Sequence, residues 1–255
     1  MSSVDSSGAS EGDVRSRRAD GGEASFPGTQ DLADRAGRSG ADAADAADAA
    51  IADAYDVRAE EYLRLGGAVD QMDPRDRDAI ARWRDATAGR LLDAGCGPGH
   101  WTAFLGDGGS NDREVSGLDI SVEFVASARS RFPDLCFAQA SFRALPFSDG
   151  SVGGILAWYS LIHTDPADVP AVLAEFARVL VPGGSLLLGF FVGEPREPFS
   201  HAVTTAYFWS AEALDALLAD AGFEVTFAER REREPGEMSV RPHGALIARR
   251  VPWAG

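Results

Sequence analysis

Apolar positions fall into two rhythms from about residue 51 onward, and before it they are sparse. Short runs of Leu, Val, Ile and Phe, stopped by Gly, Pro, Asp or Ser, read as strands; longer stretches with apolar residues every three or four positions read as helices. The runs predict strands at 90–94, 114–119, 135–139, 152–158, 185–191, 223–230 and 244–250. The periodic stretches predict helices at 51–66, 74–88, 98–105, 121–131, 167–180 and 210–221. Strands that alternate with helices form a mostly parallel sheet covered on both faces. Only a short link, with Pro235-Gly236, joins the last two strands, which predicts an antiparallel hairpin at the sheet edge.

Two segments depart from the alternation. Residues 1–40 are mostly Gly, Ser, Ala, Asp and Arg, the composition of a disordered tail. Residues 41–48 repeat Asp every three positions among alanines, which favours helix but offers no apolar stripe for docking. The chain therefore divides into an acidic tail, 1–50, disordered or partly helical, and one domain, 51–255, opening with lid helices over 51–88. The second departure is 192–209, between a strand and its helix, where about 2–6 residues would suffice. Long loops at the carboxyl ends of strands bind ligands, and the rings of His201, Tyr207 and Phe208 suit a lid over a flat organic molecule. Trp209, just ahead of Ser210 as helix cap, is placed to act as a hydrophobic staple.

The chemical signal is strongest after the first strand, in Leu92-Asp93-Ala94-Gly95-Cys96-Gly97-Pro98-Gly99-His100. Its glycines allow a tight turn and close approach of backbone to a ligand, Pro98 suits the first turn of a helix, and helix N–H groups there attract an anion. A dinucleotide fingerprint would need glycine where His100 stands, so a nicotinamide-dependent reductase fits poorly; an amino-acid carboxylate fits better than a pyrophosphate. The second strand ends at Asp119, where a carboxylate can accept both hydroxyls of a ribose, while Ser121 can cap the next helix.

Composition narrows the partners. The 255 residues include 24 basic and 40 acidic side chains, net −16, and every basic one is arginine. Without lysine there can be no Schiff-base or P-loop lysine. An acidic chain is repelled by phosphate backbones, so the expected partner is a small-molecule acceptor and not nucleic acid, although part of the acid excess lies in the tail. Cys96 and Cys136 are too few for a disulfide framework or a closed zinc site, and no metal is expected. With no run of roughly 18–20 apolar residues and no signal-peptide pattern, the expectation is a cytoplasmic monomer or homodimer without a membrane partner.

Four segments then occur in order: Asp93-Ala94-Gly95-Cys96-Gly97-Pro98-Gly99, Gly117-Leu118-Asp119-Ile120-Ser121, Ala144-Leu145-Pro146-Phe147-Ser148-Asp149-Gly150-Ser151 and Arg178-Val179-Leu180-Val181-Pro182-Gly183-Gly184. Together they resemble the class I S-adenosylmethionine-dependent methyltransferases that modify small molecules. The resemblance covers roughly 51–250. It implies a Rossmann-like α/β fold with a seven-stranded mostly parallel sheet in the order 3-2-1-4-5-7-6, the last strand antiparallel, and helices on both faces. It also implies S-adenosylmethionine as cofactor and methyl transfer to O, N or C of a small molecule, for instance in secondary metabolism.

The resemblance assigns residues as well. Gly95 and Gly97 would pass under the methionine part, Asp93 would steady the loop or reach the amino group, Asp119 would hold the ribose and Ile120 would lie against adenine. Where many relatives carry an Asp that bonds the adenine amine, this chain has Ser141, followed by Phe142, so backbone groups and Phe142 stacking would substitute. The segment from Tyr55 to Tyr62 is similar to one that closes over the cofactor; those tyrosines are two helical turns apart and share a face.

The fourth strand runs out through Leu156-Ala157-Trp158-Tyr159-Ser160-Leu161-Ile162-His163. The resemblance places the Ala157 carbonyl near the cofactor's amino group and the substrate beside it. His163, with a near-neutral ordinary pKa, suits removal of a proton from a hydroxyl or amine, and Tyr159 joins it as a catalytic residue. Trp158, His201 and Tyr207 are the expected substrate residues. Transfer from a sulfonium needs little acid–base machinery, since alignment supplies much of the acceleration. Ser141 in the acid's place motivates an alternative: a cofactor-binding protein of this fold that catalyses another step or serves as a binding subunit.

Overall fold

A computed structural model describes residues 40–107, 113–232 and 241–252. Nine strands follow in chain order: β1 (Leu91–Ala94), β2 (Val115–Asp119), β3 (Cys136–Gln139), β4 (Val152–Trp158), β5 (Leu180–Phe191), β6 (Pro198–Ser200), β7 (Thr205–Tyr207), β8 (Phe223–Arg231) and β9 (His243–Arg250). Seven of them form one sheet in the order β3-β2-β1-β4-β5-β9-β8. Strands β1 to β5 pair in parallel, and β9 lies antiparallel between β5 and β8. This is the expected 3-2-1-4-5-7-6 order once β6 and β7, a separate two-stranded ribbon inside the 192–209 insertion, are set aside.

Successive side chains of a strand face opposite ways, and here both faces are buried. Leu92, Ile155, Leu186, Leu188 and Leu246 pack on one face in a cluster with Phe176 of α6 (Val169–Val179) and Leu214 and Leu218 of α7 (Ala211–Asp220). Their neighbours Leu91, Leu156 and Leu187 pack on the other with Ile80 and Trp83 of α3 (Pro74–Ala86) and Trp101 and Leu105 of α4 (His100–Gly106). Helix α5 (Val122–Arg131) packs with β2 and β3 through Val125, Ala128 and Phe137. Trp209, 2% exposed, belongs to the first cluster, and Ser210 caps α7 by accepting from the Ala213 N–H at 3.2 Å.

Several boundaries differ from expectation for local reasons. The single helix expected over 51–66 is two, α1 (Gly40–Asp56) and α2 (Ala59–Gly66). Helix α1 ends where the Asp56 carboxylate is taken up by the Ser121 hydroxyl and the Glu123 N–H at the start of α5. Helix α1 also begins well inside the presumed tail; the Asp-Ala repeat docks through an ion pair of Asp48 with Arg143, 2.9 Å, and not through an apolar stripe. Helix α4 starts at His100 rather than Pro98, because Gly99 at φ 83° is left-handed and leaves Pro98 in the turn. The tail over 1–39 and the Pro235-Gly236 turn lie outside the described residues.

Candidate active site

The carboxyl ends of β1, β2 and β4 open onto a cavity of about 1060 Å³, covered by α1, α2 and the insertion. That exceeds the roughly 300–1,000 Å³ of an ordinary single-ligand pocket, so two molecules can share it.

At one end stands the glycine loop. Gly95 has φ 82°, and a Cβ on it would come within 2.3 Å of Ser160 Cβ, so only glycine lets the loop cross there. The Gly97 N–H donates to one oxygen of Asp119 at 2.8 Å and the Ser121 N–H to the other at 2.9 Å. A carboxylate accepts up to about four hydrogen bonds, so Asp119 keeps capacity for a further donor. Burial pushes the Asp119 carboxyl up to about 6, while the backbone donors oppose it. Beside the loop the Ser160 hydroxyl lines the cavity and is buried without a hydrogen-bond partner. Ile51, Ile120, Ala140 and Phe142 continue the wall beyond Asp119 as an apolar slot.

Helix α1 meets the sheet at Tyr55 and His163. Tyr55 on α1 and Tyr62 on α2 come together edge to face at 6.5 Å despite the break between their helices, and both rings lie on Phe124, at 5.6 and 5.1 Å. His163 is 8% exposed in a 3-10 turn, Leu161–His163, after β4. Its Nδ1 is 2.7 Å from the Thr205 carbonyl, which only accepts, so Nδ1 carries the proton. Burial lowers the His163 pKa and keeps the ring neutral, so its bare Nε2 accepts from the Tyr55 hydroxyl at 2.9 Å. The Tyr55 oxygen thereby keeps its lone pairs for the cavity, and burial holds the phenol far above its ordinary value. His163 thus ties α1 to β7 of the insertion; Arg58 adds a second tie by donating to the Ala202 carbonyl.

The other end is built of rings and ion pairs. Tyr159, with φ 57°, is one of two non-glycine residues in the left-handed region among the described residues. This turn brings its hydroxyl to His243 Nδ1, 2.5 Å, and its ring to Phe191, 4.9 Å. His201 meets His163 edge to face at 5.1 Å with its Nδ1 buried and unpartnered, and burial lowers its pKa to about 4. Arg231 on β8 pairs with Asp76 of α3, whose pKa burial raises against the pull of that arginine; Trp158 also donates to Asp76. Arg75 holds Asp73 at 2.7 Å, and Arg241 sits 4.2 Å over the Phe199 ring.

Most of the residues singled out from the sequence therefore meet in one place: Tyr55, Tyr62, Gly95, Gly97, Asp119, Ile120, Phe142, Trp158, Tyr159, His163 and His201 all line the cavity. Asp93, Ala157, Ser141 and Tyr207 do not. Asp93 lies beneath the loop, 2% exposed, accepting from the Thr102 hydroxyl at 2.7 Å, and burial pushes its carboxyl up to about 7. Ser141 turns its hydroxyl to Asp48, 2.5 Å. The sequence reading passed over Asp48, Asp73, Asp76, Arg231 and Arg241. Of these only Asp48 had a usable pattern: Asp48, Ile51 and Tyr55 are spaced three and four apart, one face of a helix.

Residues 91–184 match the methyltransferase domain family. An O-methyltransferase of Penicillium expansum is 34% identical over 161 residues, covering 58% of this chain and 57% of that protein. The chain spans about half the length of the curated relatives it matches. Among solved structures, a Burkholderia thailandensis 1,6-didemethyltoxoflavin-N1-methyltransferase, with bound 1,6-didemethyltoxoflavin and S-adenosylhomocysteine, has TM-score 0.62 at 21% identity, over 80% of this chain and 91% of that one. A cyclase has TM-score 0.65 at 21% identity, over 79% and 96%. At that identity the likeness is one of fold.

Proposed function

We propose that this chain, whose residues 91–184 match the methyltransferase domain family, acts as a class I S-adenosylmethionine-dependent methyltransferase and transfers a methyl group from that cofactor to a small aromatic acceptor, foremost at a hydroxyl oxygen. The observation that carries this reading is the continuity of the cavity. A glycine loop and the Asp119 carboxylate stand at one end, a ring-lined chamber at the other, and Tyr55 with His163 where they meet.

The residues present fit the cofactor. The unpartnered Ser160 hydroxyl beside Gly95 and Gly97 is a group that an amino-acid end would satisfy, and the remaining acceptor capacity of Asp119 suits a ribose hydroxyl. Ile51, Ile120 and Phe142 would enclose the flat base. When bound, the cofactor supplies an electrophilic methyl on a sulfonium, which leaves as a neutral thioether. The rings of Tyr55, Tyr62 and Phe124 favour a cation beside them.

An O–H acceptor must lose its proton as the O–CH3 bond forms. The Tyr55 oxygen takes that proton while its own passes to His163 Nε2, and the resulting imidazolium keeps its Nδ1–H on the Thr205 carbonyl. Because burial disfavours the phenolate, Tyr55 relays the proton instead of holding a charge. Tyr159, fixed by His243, orients the acceptor between Trp158, Phe191 and His201.

The test is incubation of the full chain with S-adenosylmethionine and a panel of phenols, enols and aromatic amines, with calorimetry of S-adenosylhomocysteine alongside. Methylated product in step with S-adenosylhomocysteine is the expected result. A folded sample that binds neither form of the cofactor would overturn the reading, and binding without transfer to any acceptor would leave the non-transferring alternative in its place.

A further inference from the structure

We infer that Asp48, on the lid helix α1, is the group that reads the exocyclic amine of the cofactor's base, so that recognition of adenine and closure of the lid are one event. The inference rests on the proposed S-adenosylmethionine site and extends it to a residue outside the matched domain.

The geometry follows from neighbouring elements. A ribose held by Asp119 directs its base toward the residues that follow β2 and β3; the Ala140 N–H donates to the Asp119 carbonyl at 3.0 Å, which sets those two strand ends side by side. The slot there has apolar walls, Ile51, Ile120, Ala140 and Phe142, and such walls hold a flat ring without choosing between rings. The polar group that lines this slot is the Asp48 carboxylate, 14% exposed. One of its oxygens accepts from Ser141 Oγ at 2.5 Å and the other from Arg143 Nε at 2.9 Å, and Arg143 also reaches Asp168 at 3.0 Å. These donors hold the carboxylate in place, and each oxygen retains capacity for one more donor. An amino group on the ring supplies that donor. A ring oxygen in its place would set two acceptors against each other, so the site selects amine over carbonyl.

Asp48 shares its helix face with Ile51, against the base, and Tyr55, against His163. Ser141, which lies outside the cavity wall, acts as a positioning residue by orienting Asp48.

Calorimetry on the full chain with S-adenosylhomocysteine and S-inosylhomocysteine tests this. Wild type should prefer the adenosyl ligand by about 10–100-fold, the worth of one hydrogen bond to a charged group. In Asp48→Ala the adenosyl ligand should lose that factor while the inosyl ligand holds, bringing the ratio near one. The double variant D48A/S141D, which returns a carboxylate from the loop side, should restore the preference. Equal weakening of both ligands in Asp48→Ala would show a lid that docks without reading the base and would overturn the inference, as would a wild type that fails to discriminate. If wild type bound neither ligand, the cofactor reading itself would fall, and the inference with it.

Discussion

The two ends of the cavity are built in opposite ways. At the glycine-loop end most of the groups that face a ligand lie within three residues of a strand terminus, and much of their geometry is backbone: the turn at Gly95, the Gly97 and Ser121 N–H groups on Asp119, the slot beside Ala140. At the insertion end the groups are side chains from distant parts of the chain, Asp76 from α3, Tyr159 after β4, His201 from the insertion, Arg231 and His243 from β8 and β9, and they hold one another. A cradle of backbone suits one fixed ligand. A chamber of paired side chains can change its acceptor by substitution without moving the cradle.

That contrast can be broken at several points. The largest effect is expected for Gly95→Val: with φ 82° and Ser160 in the way, the loop must move, and cofactor affinity should fall by more than about 100-fold, the worth of several hydrogen bonds. An unchanged Kd by calorimetry would show that the backbone cradle is not what binds. Next, Tyr55→Phe and His163→Gln should each lower kcat by about 100-fold or more, the usual contribution of a placed proton acceptor, with S-adenosylhomocysteine affinity nearly retained. Because burial lowers the His163 pKa, the ring is neutral at pH 7, so the acid limb of the wild-type pH–rate profile should fall below the ordinary histidine value and be absent in His163→Gln. A limb that persists there would place the titration elsewhere.

A more moderate change belongs to the insertion end. Asp76→Asn leaves Arg231 facing a neutral partner; it should raise the acceptor KM by about tenfold and cost about 1–3 kcal/mol of stability, while the cofactor Kd stays put. A loss of cofactor affinity in that variant would mean the two ends are not separable. The smallest effect concerns Asp93, whose folded pKa of about 7 lies above its ordinary value. Between the two values the folded protein binds more protons than the unfolded chain, so the contribution of Asp93 to stability is lost as pH rises through that window. Asp93→Asn should therefore raise Tm at pH 8 more than at pH 5; melting curves at the two pH values, with an equal shift or a fall at pH 8, would contradict it.

The sheet was legible because alternation and helical periodicity are written in consecutive residues: Leu91 and Leu92, Ile155 and Leu156, Leu186 and Leu187 each send one side chain to either face, and all are buried. The glycine-loop end was legible for the same reason, since its residues sit at strand ends and carry the backbone demands in their own identity. What escaped was set by partners far away in the chain. The break between α1 and α2 follows from Asp56 docking on α5, and the docking of residues before 51 onto the domain from Asp48 reaching Arg143. Asp48 in an Asp-Ala repeat looks like any solvated carboxylate until Ser141 and Arg143 are beside it.

By itself, then, the sequence determined where the strands and helices run, the glycine turn and the carboxylate at the end of β2, because each depends on local conformation and on burial patterns a few residues long; the order of the strands came only with the family resemblance. Tertiary structure alone decided which titratable groups face one another. It gave His163 its tautomer by setting the Thr205 carbonyl on one nitrogen and the Tyr55 hydroxyl on the other, and it brought Tyr159 to His243 and Arg231 to Asp76. Proton location and ion pairing depend on distance and burial in space, and residues forty or more positions apart carry no trace of that distance in their order along the chain.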